Sequence, residues 1–127
     1  MTLRRLKPEY FTENKLNMAT ARLQFYGKPF MMEIMSKDIV RYNAHVISRR
    51  LAMKGGKYAT AMRKLIESAI ANGLQKGLNH DNMFIKSLSV GRGSYLKRRE
   101  CKSRGRSAPI WRPYSNVLLE LQEVDLE

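Results

Sequence analysis

Eight basic side chains fall within residues 92–112: Arg92, Lys97, Arg98, Arg99, Lys102, Arg104, Arg106 and Arg112. A single acid, Glu100, lies among them. The chemistry on offer is phosphate binding, with arginine presenting planar forks to phosphate oxygens and lysine a mobile point charge. Tyr95, Trp111 and Tyr114 are interleaved with these cations. They either stack on unpaired bases or pack at the base of whatever carries the charge, and both readings stand. Parts for catalysis are scarce. The chain has two histidines, His45 and His80, and one cysteine, Cys101, which excludes an internal disulfide framework and a Cys-rich zinc site. His45 reads as a solvated or RNA-facing residue rather than a metal ligand. Cys101 reads as inert, although basic neighbours would lower the pKa of an exposed thiol there. The acids are scattered or gathered at the C-terminus, with no histidine–carboxylate arrangement and no glycine-rich phosphate loop. No enzymatic activity, cofactor or metal is expected.

These cations belong to a chain of 127 residues with a formal net charge of +13. That length suits one domain with a real core, and that charge favours a polyanionic partner. No apolar run approaches the ~20 residues of a membrane span, so no membrane insertion is expected. The acids Glu9 and Glu13 argue against a cleaved organellar presequence. The basic excess is local. The last fifteen residues hold Glu120, Glu123, Asp125 and Glu127 and no base, and they read as a solvent-exposed end or a contact for basic neighbours.

The elements that must position the basic stretch follow from periodicity. Residues 1–11 read as an extended tail. Leu16, Ala19, Thr20, Leu23 and Tyr26 have helical spacing, with Thr12 as cap and Gly27 and Pro29 as stop. Phe30, Met32 and Ile34 alternate like a strand. Ser36 then reads as the cap of a helix lined by Val40, Ala44, Ile47 and Leu51 and ended by Gly55 and Gly56. The strongest helix carries a stripe of Met62, Leu65, Ile66, Ala69, Ile70 and Gly73. Residues 83–90 and 117–124 read as antiparallel strands, with Phe84, Leu88 and Val90 on one face and Val117, Leu119 and Leu121 on another. The basic stretch between them becomes the far end of a hairpin, with Gly105 supplying the positive φ of its tip. Arms of about a dozen residues would reach on the order of 35–40 Å beyond the core. A bare two-stranded ribbon is marginal alone, so this one is expected to order against a polyanion. The expected fold is α+β, a small helical and sheet body with a long basic antiparallel β-hairpin. Residues 1–29 form an N-terminal extension with a helix, residues 30–127 a single domain, and residues 91–116 the hairpin.

This order of elements resembles the universal large-subunit ribosomal protein family conventionally numbered twenty-two, in its bacterial and organellar form. Leu65-Ile-Glu-Ser-Ala-Ile-Ala-Asn72 is similar to that family's helix signature, and Gly93-Ser-Tyr-Leu-Lys-Arg-Arg99 to the entry of its hairpin. Arg104-Gly105-Arg106 resembles its tip, Ser115-Asn116-Val117 the start of its last strand, and Met35-Ser36 with Arg41, Ala44 and Ile47 the opening of its first long helix. The likeness covers roughly Phe30–Gln122. Cys101 stands where the family usually has proline and Asn116 where histidine is common. The resemblance implies a structural constituent of the large ribosomal subunit that binds large-subunit rRNA and supports assembly and translation. Its globular end would sit near the peptide exit and its hairpin would line the tunnel. The implied partners are rRNA, neighbouring large-subunit proteins and the nascent polypeptide.

On that reading the rRNA contacts are Arg92, Lys97, Arg98, Arg99, Lys102, Arg104, Arg106 and Arg112, joined from the body by Lys57, Arg63 and Lys64. The tunnel-lining tip runs through Arg98, Arg99, Glu100, Cys101, Lys102, Ser103, Arg104, Gly105 and Arg106. Cations within residues 1–30 read as further RNA contacts. If about six hairpin cations each meet a phosphate, affinity falls as roughly the fourth power of salt concentration. The compartment is the ribosome, with a mitochondrial one favoured by drift from the family pattern over a bacterial or plastid one. Three rivals make different demands. A DNA-bending architectural protein with basic β-ribbon arms needs an apolar wedge at the tip, where this chain has Ser-Arg-Gly-Arg-Ser. An RNA-modifying enzyme needs positioned acid–base groups that are missing here. A membrane-surface protein would more naturally use a basic amphipathic helix.

Overall fold

The computed structural model describes residues 5–11 and 15–124. Its frame is a three-stranded antiparallel sheet, β1 (Met18–Tyr26), β2 (Met83–Cys101) and β3 (Ser107–Glu123), in the order β1-β3-β2. Three helices, α1 (Pro29–Ile39), α2 (Ala44–Lys54) and α3 (Lys57–Gln75), lie between β1 and β2 in the chain. α3 and α1 pack on the sheet, and α2 packs on α3. The α+β class and the long basic hairpin are as expected.

The core sits between α3 and one face of the sheet. The stripe read from the sequence (Met62, Leu65, Ile66, Ala69, Ile70 and Gly73) is buried throughout. It meets Ala19, Ala21, Val117, Leu119, Leu121 and Ile85. Gly73 permits the contact, because a Cβ there would lie 2.6 Å from Met83 Sδ and 3.3 Å from the Cβ of Ala19. Asn72 Nδ2 and Lys76 Nζ then donate to the Thr20 and Met18 carbonyls, pinning the helix end to β1.

Four readings are corrected, three in the N-terminal half and one at Phe84. The segment read as a helix ending at Tyr26 is strand β1 over Met18–Tyr26, and its Thr12 cap lies outside the described residues. Ala19, Ala21, Leu23 and Phe25 face the core, while Thr20, Arg22, Gln24 and Tyr26 face out. Apolar residues at 16, 19, 23 and 26 fit a helix and those at 19, 21, 23 and 25 a strand, and the open edge of β3 decides for the strand. Phe30, Met32 and Ile34 belong to helix α1 rather than to a strand. Pro29 opens that helix and only Met32 of the three is buried, followed at helical spacing by Ser36 and Ile39.

Ser36 is therefore interior, donating from Oγ to the Glu33 carbonyl at 2.6 Å. The cap of the next helix is Asn43, whose Oδ1 accepts from the amides of His45 and Val46. Val40 terminates α1 while Ala44, Ile47 and Leu51 line α2, with Arg41 in the left-handed region at φ 71 between them. Finally, Phe84 does not share a face with Leu88 and Val90. An extra residue between Ile85 and Ser87 shifts the register and inverts the alternation. Phe84 turns to the other side, where Leu6, Val124 and the half-buried Phe11 cover it.

Candidate nucleic-acid interface

β2 and β3 run past the body as one ribbon. β1 accompanies β3 only as far as the pair Tyr26–Tyr114. Beyond it lie seven two-stranded pairs, from Tyr95–Pro113 to Cys101–Ser107. At 3.3–3.4 Å per residue that is an arm of about 23 Å plus its turn, shorter than expected because β1 was not foreseen as a strand. A second bulge, between Arg92 and Tyr95, marks the root. Gly93 makes it possible: a Cβ there would sit 2.9 Å from the Tyr114 carbonyl oxygen. Such an extra residue bends and twists the ribbon, so Gly93 sets where the arm points. At the tip Arg104 (φ 63) and Gly105 (φ 72) are both left-handed, and the Lys102 amide donates to the Arg106 carbonyl. Gly105 plays its expected part, and Arg104 shares it.

All eight expected hairpin cations are exposed. Among the described residues, the side chains of Arg92, Arg99, Arg104 and Arg106 make no hydrogen bond or ion pair. Lys102 Nζ pairs with Glu100 Oε2 at 3.0 Å, an exposed bridge of small worth. Arg98 donates to the Lys97 carbonyl, and Arg112 to the Tyr26 hydroxyl at 2.9 Å. Cys101 is an exposed free thiol.

The pairing also sorts the arm into two faces, since directly opposed residues point the same way. Leu96, Arg98, Glu100 and Arg112 share one face. Tyr95, Lys97, Arg99, Cys101, Pro109, Trp111 and Pro113 share the other. The aromatics divide accordingly. Tyr114 is half-buried at the root, edge-on to Tyr26 with centroids 5.3 Å apart, as its packing reading requires. Trp111 stands out on the arm, 56% exposed.

Of the body cations, Lys57 comes to the arm root. Its Nζ lies 4.4 Å from the Tyr26 ring centroid and within 5.7 Å of those of Phe25 and Tyr58. Tyr26 thus joins Lys57 to Arg112, a connection that the alternation of residues 18–26 would have disclosed. Arg63 is tied to Glu67 one turn along α3 at 3.0 Å, and Lys64 is exposed.

Arg5, read as an RNA contact, is otherwise engaged. Its guanidinium donates to the Val40 and Lys37 carbonyls at 3.1 and 2.8 Å, satisfying the C-terminal end of α1. Arg22, on the outward face of the sheet, borders a shallow groove with Gln24, Ser89, Asn116 and Leu118.

His45 and His80 meet ring to ring, with centroids 4.4 Å apart. Burial first, then His80 and Arg49, hold His45 below its ordinary pKa, against a smaller opposing pull from Asp81. Glu120 is half-buried and accepts from Ser87 Oγ at 3.0 Å, so it is not part of a solvated end. Glu123 Oε2 accepts from the Asn79 amide, while Asp125 and Glu127 lie outside the described residues. No group of three or more metal-ligating side chains occurs among the described residues, and no helix among them is long and apolar enough to cross a membrane.

The family model described as Ribosomal protein L22p/L17e matches residues 11–122. Among curated proteins, the Large ribosomal subunit protein uL22 of Wolinella succinogenes is 33% identical over 107 residues, covering 84% of this chain and 95% of its own length. The protein of the same name from Nautilia profundicola is 30% identical over 107 residues, covering 84% and 98%. That from Neorickettsia sennetsu is 40% identical over 68 residues, covering 53% and 60%.

Proposed function

The chain belongs to the ribosomal protein L22p/L17e family and is a structural, non-enzymatic constituent of the large ribosomal subunit; from that premise we propose that it binds large-subunit rRNA chiefly through its arm. One observation carries the proposal: the cations concentrate where the third strand has stopped. Arg92, Arg99, Arg104 and Arg106 have no anionic partner within the described chain, and a cation without an internal partner on a projecting ribbon is available to phosphate. Arg98, Lys97, Lys102 and Arg112 add to the same surface, and Lys57 extends it onto the body. Lys64 and, when released from Glu67, Arg63 are further contacts.

The tip, from Arg98 to Arg106, is the segment we assign to the wall of the nascent-chain tunnel, with the body near the exit and against neighbouring large-subunit proteins. The domain carrying that arm includes β1, whose Ala19 and Ala21 share the core, so it begins before residue 30. The DNA-bending alternative needs an apolar wedge, and the turn Ser103–Gly105 has none. For the compartment we propose the mitochondrial ribosome, on the drift of the sequence from the family pattern; the relatives named above are bacterial.

Filter binding of the full chain to large-subunit rRNA, as a function of salt, tests the first claim. Affinity should fall steeply with salt, and deletion of residues 97–106 should flatten that dependence while leaving the body folded by circular dichroism. A salt-insensitive complex, or one indifferent to the deletion, refutes it. The tunnel claim is tested at Cys101, the sole cysteine. A photo-crosslinker attached there should capture nascent chains on stalled ribosomes, and capture of rRNA alone would remove the tip from the tunnel wall. Co-sedimentation with purified mitochondrial ribosomes at high salt tests the compartment.

A further inference from the structure

We infer that the face of the arm bearing Trp111 is a stacking site for a single unpaired nucleobase, with Lys97 and Arg99 holding the phosphates beside it. The inference rests on the rRNA-binding reading and specifies one contact within it. Trp111 is directly opposite Lys97, and Pro109 directly opposite Arg99. These four residues, together with Arg98 between Lys97 and Arg99, line one open slot. Lys97 Nζ lies 5.0 Å from the Trp111 ring centroid, and the Tyr95 ring meets the indole edge-on at 6.3 Å and 82°. The indole is thereby held in place from two sides while more than half of it remains exposed.

The exposed indole offers a flat π-face that an unpaired base can stack on. Lys97 lies beside the ring and Arg99 two residues nearer the tip, ~6.6 Å along the strand, so the two charges are spread along the slot rather than crowded at one point. The arm's one acid, Glu100, is on the opposite face. The slot therefore combines a stacking plane with positive charge alone. That combination selects a nucleotide over a peptide, and an unpaired nucleotide over a duplex whose base faces are already covered.

Trp111 is the only tryptophan, so emission from the full chain reports this site directly. The experiment mixes the protein with four probes of matched charge: an unpaired oligoribonucleotide, the same strand with abasic positions, a blunt RNA duplex, and an acidic peptide. Only the unpaired strand should quench strongly, while the abasic strand should bind with a similar salt dependence and leave emission nearly unchanged. Trp111→Leu should weaken binding of the unpaired strand about tenfold and leave duplex binding unaltered, whereas Trp111→Phe should retain part of the gain. RNA binding without quenching, or equal quenching by the abasic strand, overturns the stacking site and leaves the rRNA reading intact. Equal quenching by the peptide overturns it in favour of a peptide contact. Failure of every RNA to bind removes both.

Discussion

The two ends of the β2–β3 ribbon are built from the same strands and held by different forces. At the body end, Ile85, Leu88 and Val90 of β2 and Val117, Leu119 and Leu121 of β3 face the core, and β1 pairs along the other edge of β3. Past Tyr114 the third strand and the helices stop, and from Tyr95 to Ser107 no residue is buried. Backbone pairing resumes past the bulge at the boundary; side-chain burial does not. A strand pair covered by helices carries its own stability, whereas one bearing cations on both faces is stabilised by whatever neutralises them. Conformation is shared along the ribbon, and the source of its stability changes midway.

The sharpest way to break that contrast is at its best-packed point. Leu119 is fully buried, and Leu119→Ala should cost about 2–5 kcal/mol, read as a lowered denaturation midpoint of the whole body. Next, changing Arg99, Arg104 and Arg106 together to Gln should lower the slope of log affinity against log salt by about two. Stability should stay within about 0.5 kcal/mol of the parent. A comparable loss of stability would show that the arm is held by its own contacts. Gly93→Val tests the boundary itself. A side chain forced toward the Tyr114 backbone should cost about 1–3 kcal/mol and redirect the arm, visible as altered fluorescence transfer between Trp111 on the arm and a label on the body, attached through Met53→Cys at an exposed position of α2 with Cys101→Ser.

Arg5→Ala compares a cation of the body with those of the arm. It should cost about 0.3–1 kcal/mol by leaving the end of α1 uncapped, with little change in RNA affinity. The smallest effect concerns His45, whose pKa lies below 6.5 in the folded chain. The unfolded chain takes up that proton first. Stability should therefore decline as pH falls below about 6.5 toward the depressed folded value, and then decline no further from this source. Glu67, Asp81, His80 and Arg49 share its surroundings, so His45→Gln, compared with the parent across pH 5–7, isolates the imidazole.

How legible all this was depended on the kind of signal. The stripe of α3 has only one good reading, because six apolar residues at helical spacing over three turns leave no competing period. The Arg-rich segment between two strands likewise dictates an exposed hairpin, since nothing in it can form a core. Residues 18–26 and 30–34 were misread because both are short and rich in residues neutral between periods. Arg5 carries the same charge as Arg104, and no local pattern separates a helix-capping guanidinium from one left for phosphate. Phe84 was placed on the wrong face by one extra residue two positions later.

Composition and periodicity by themselves determined that this chain makes a helix-backed sheet with a cationic hairpin, and that its charge favours a polyanionic partner. Those properties follow from local sums of apolar and charged groups. The tertiary structure alone decided that β1 completes the sheet, where the bulges invert and bend the ribbon, and which cations are consumed internally. It also decided that Trp111 shares a face with Lys97 and Arg99 while Glu100 does not. Each of these depends on which strand edge or helix end is left open for pairing, and residues distant in the chain create that opening together.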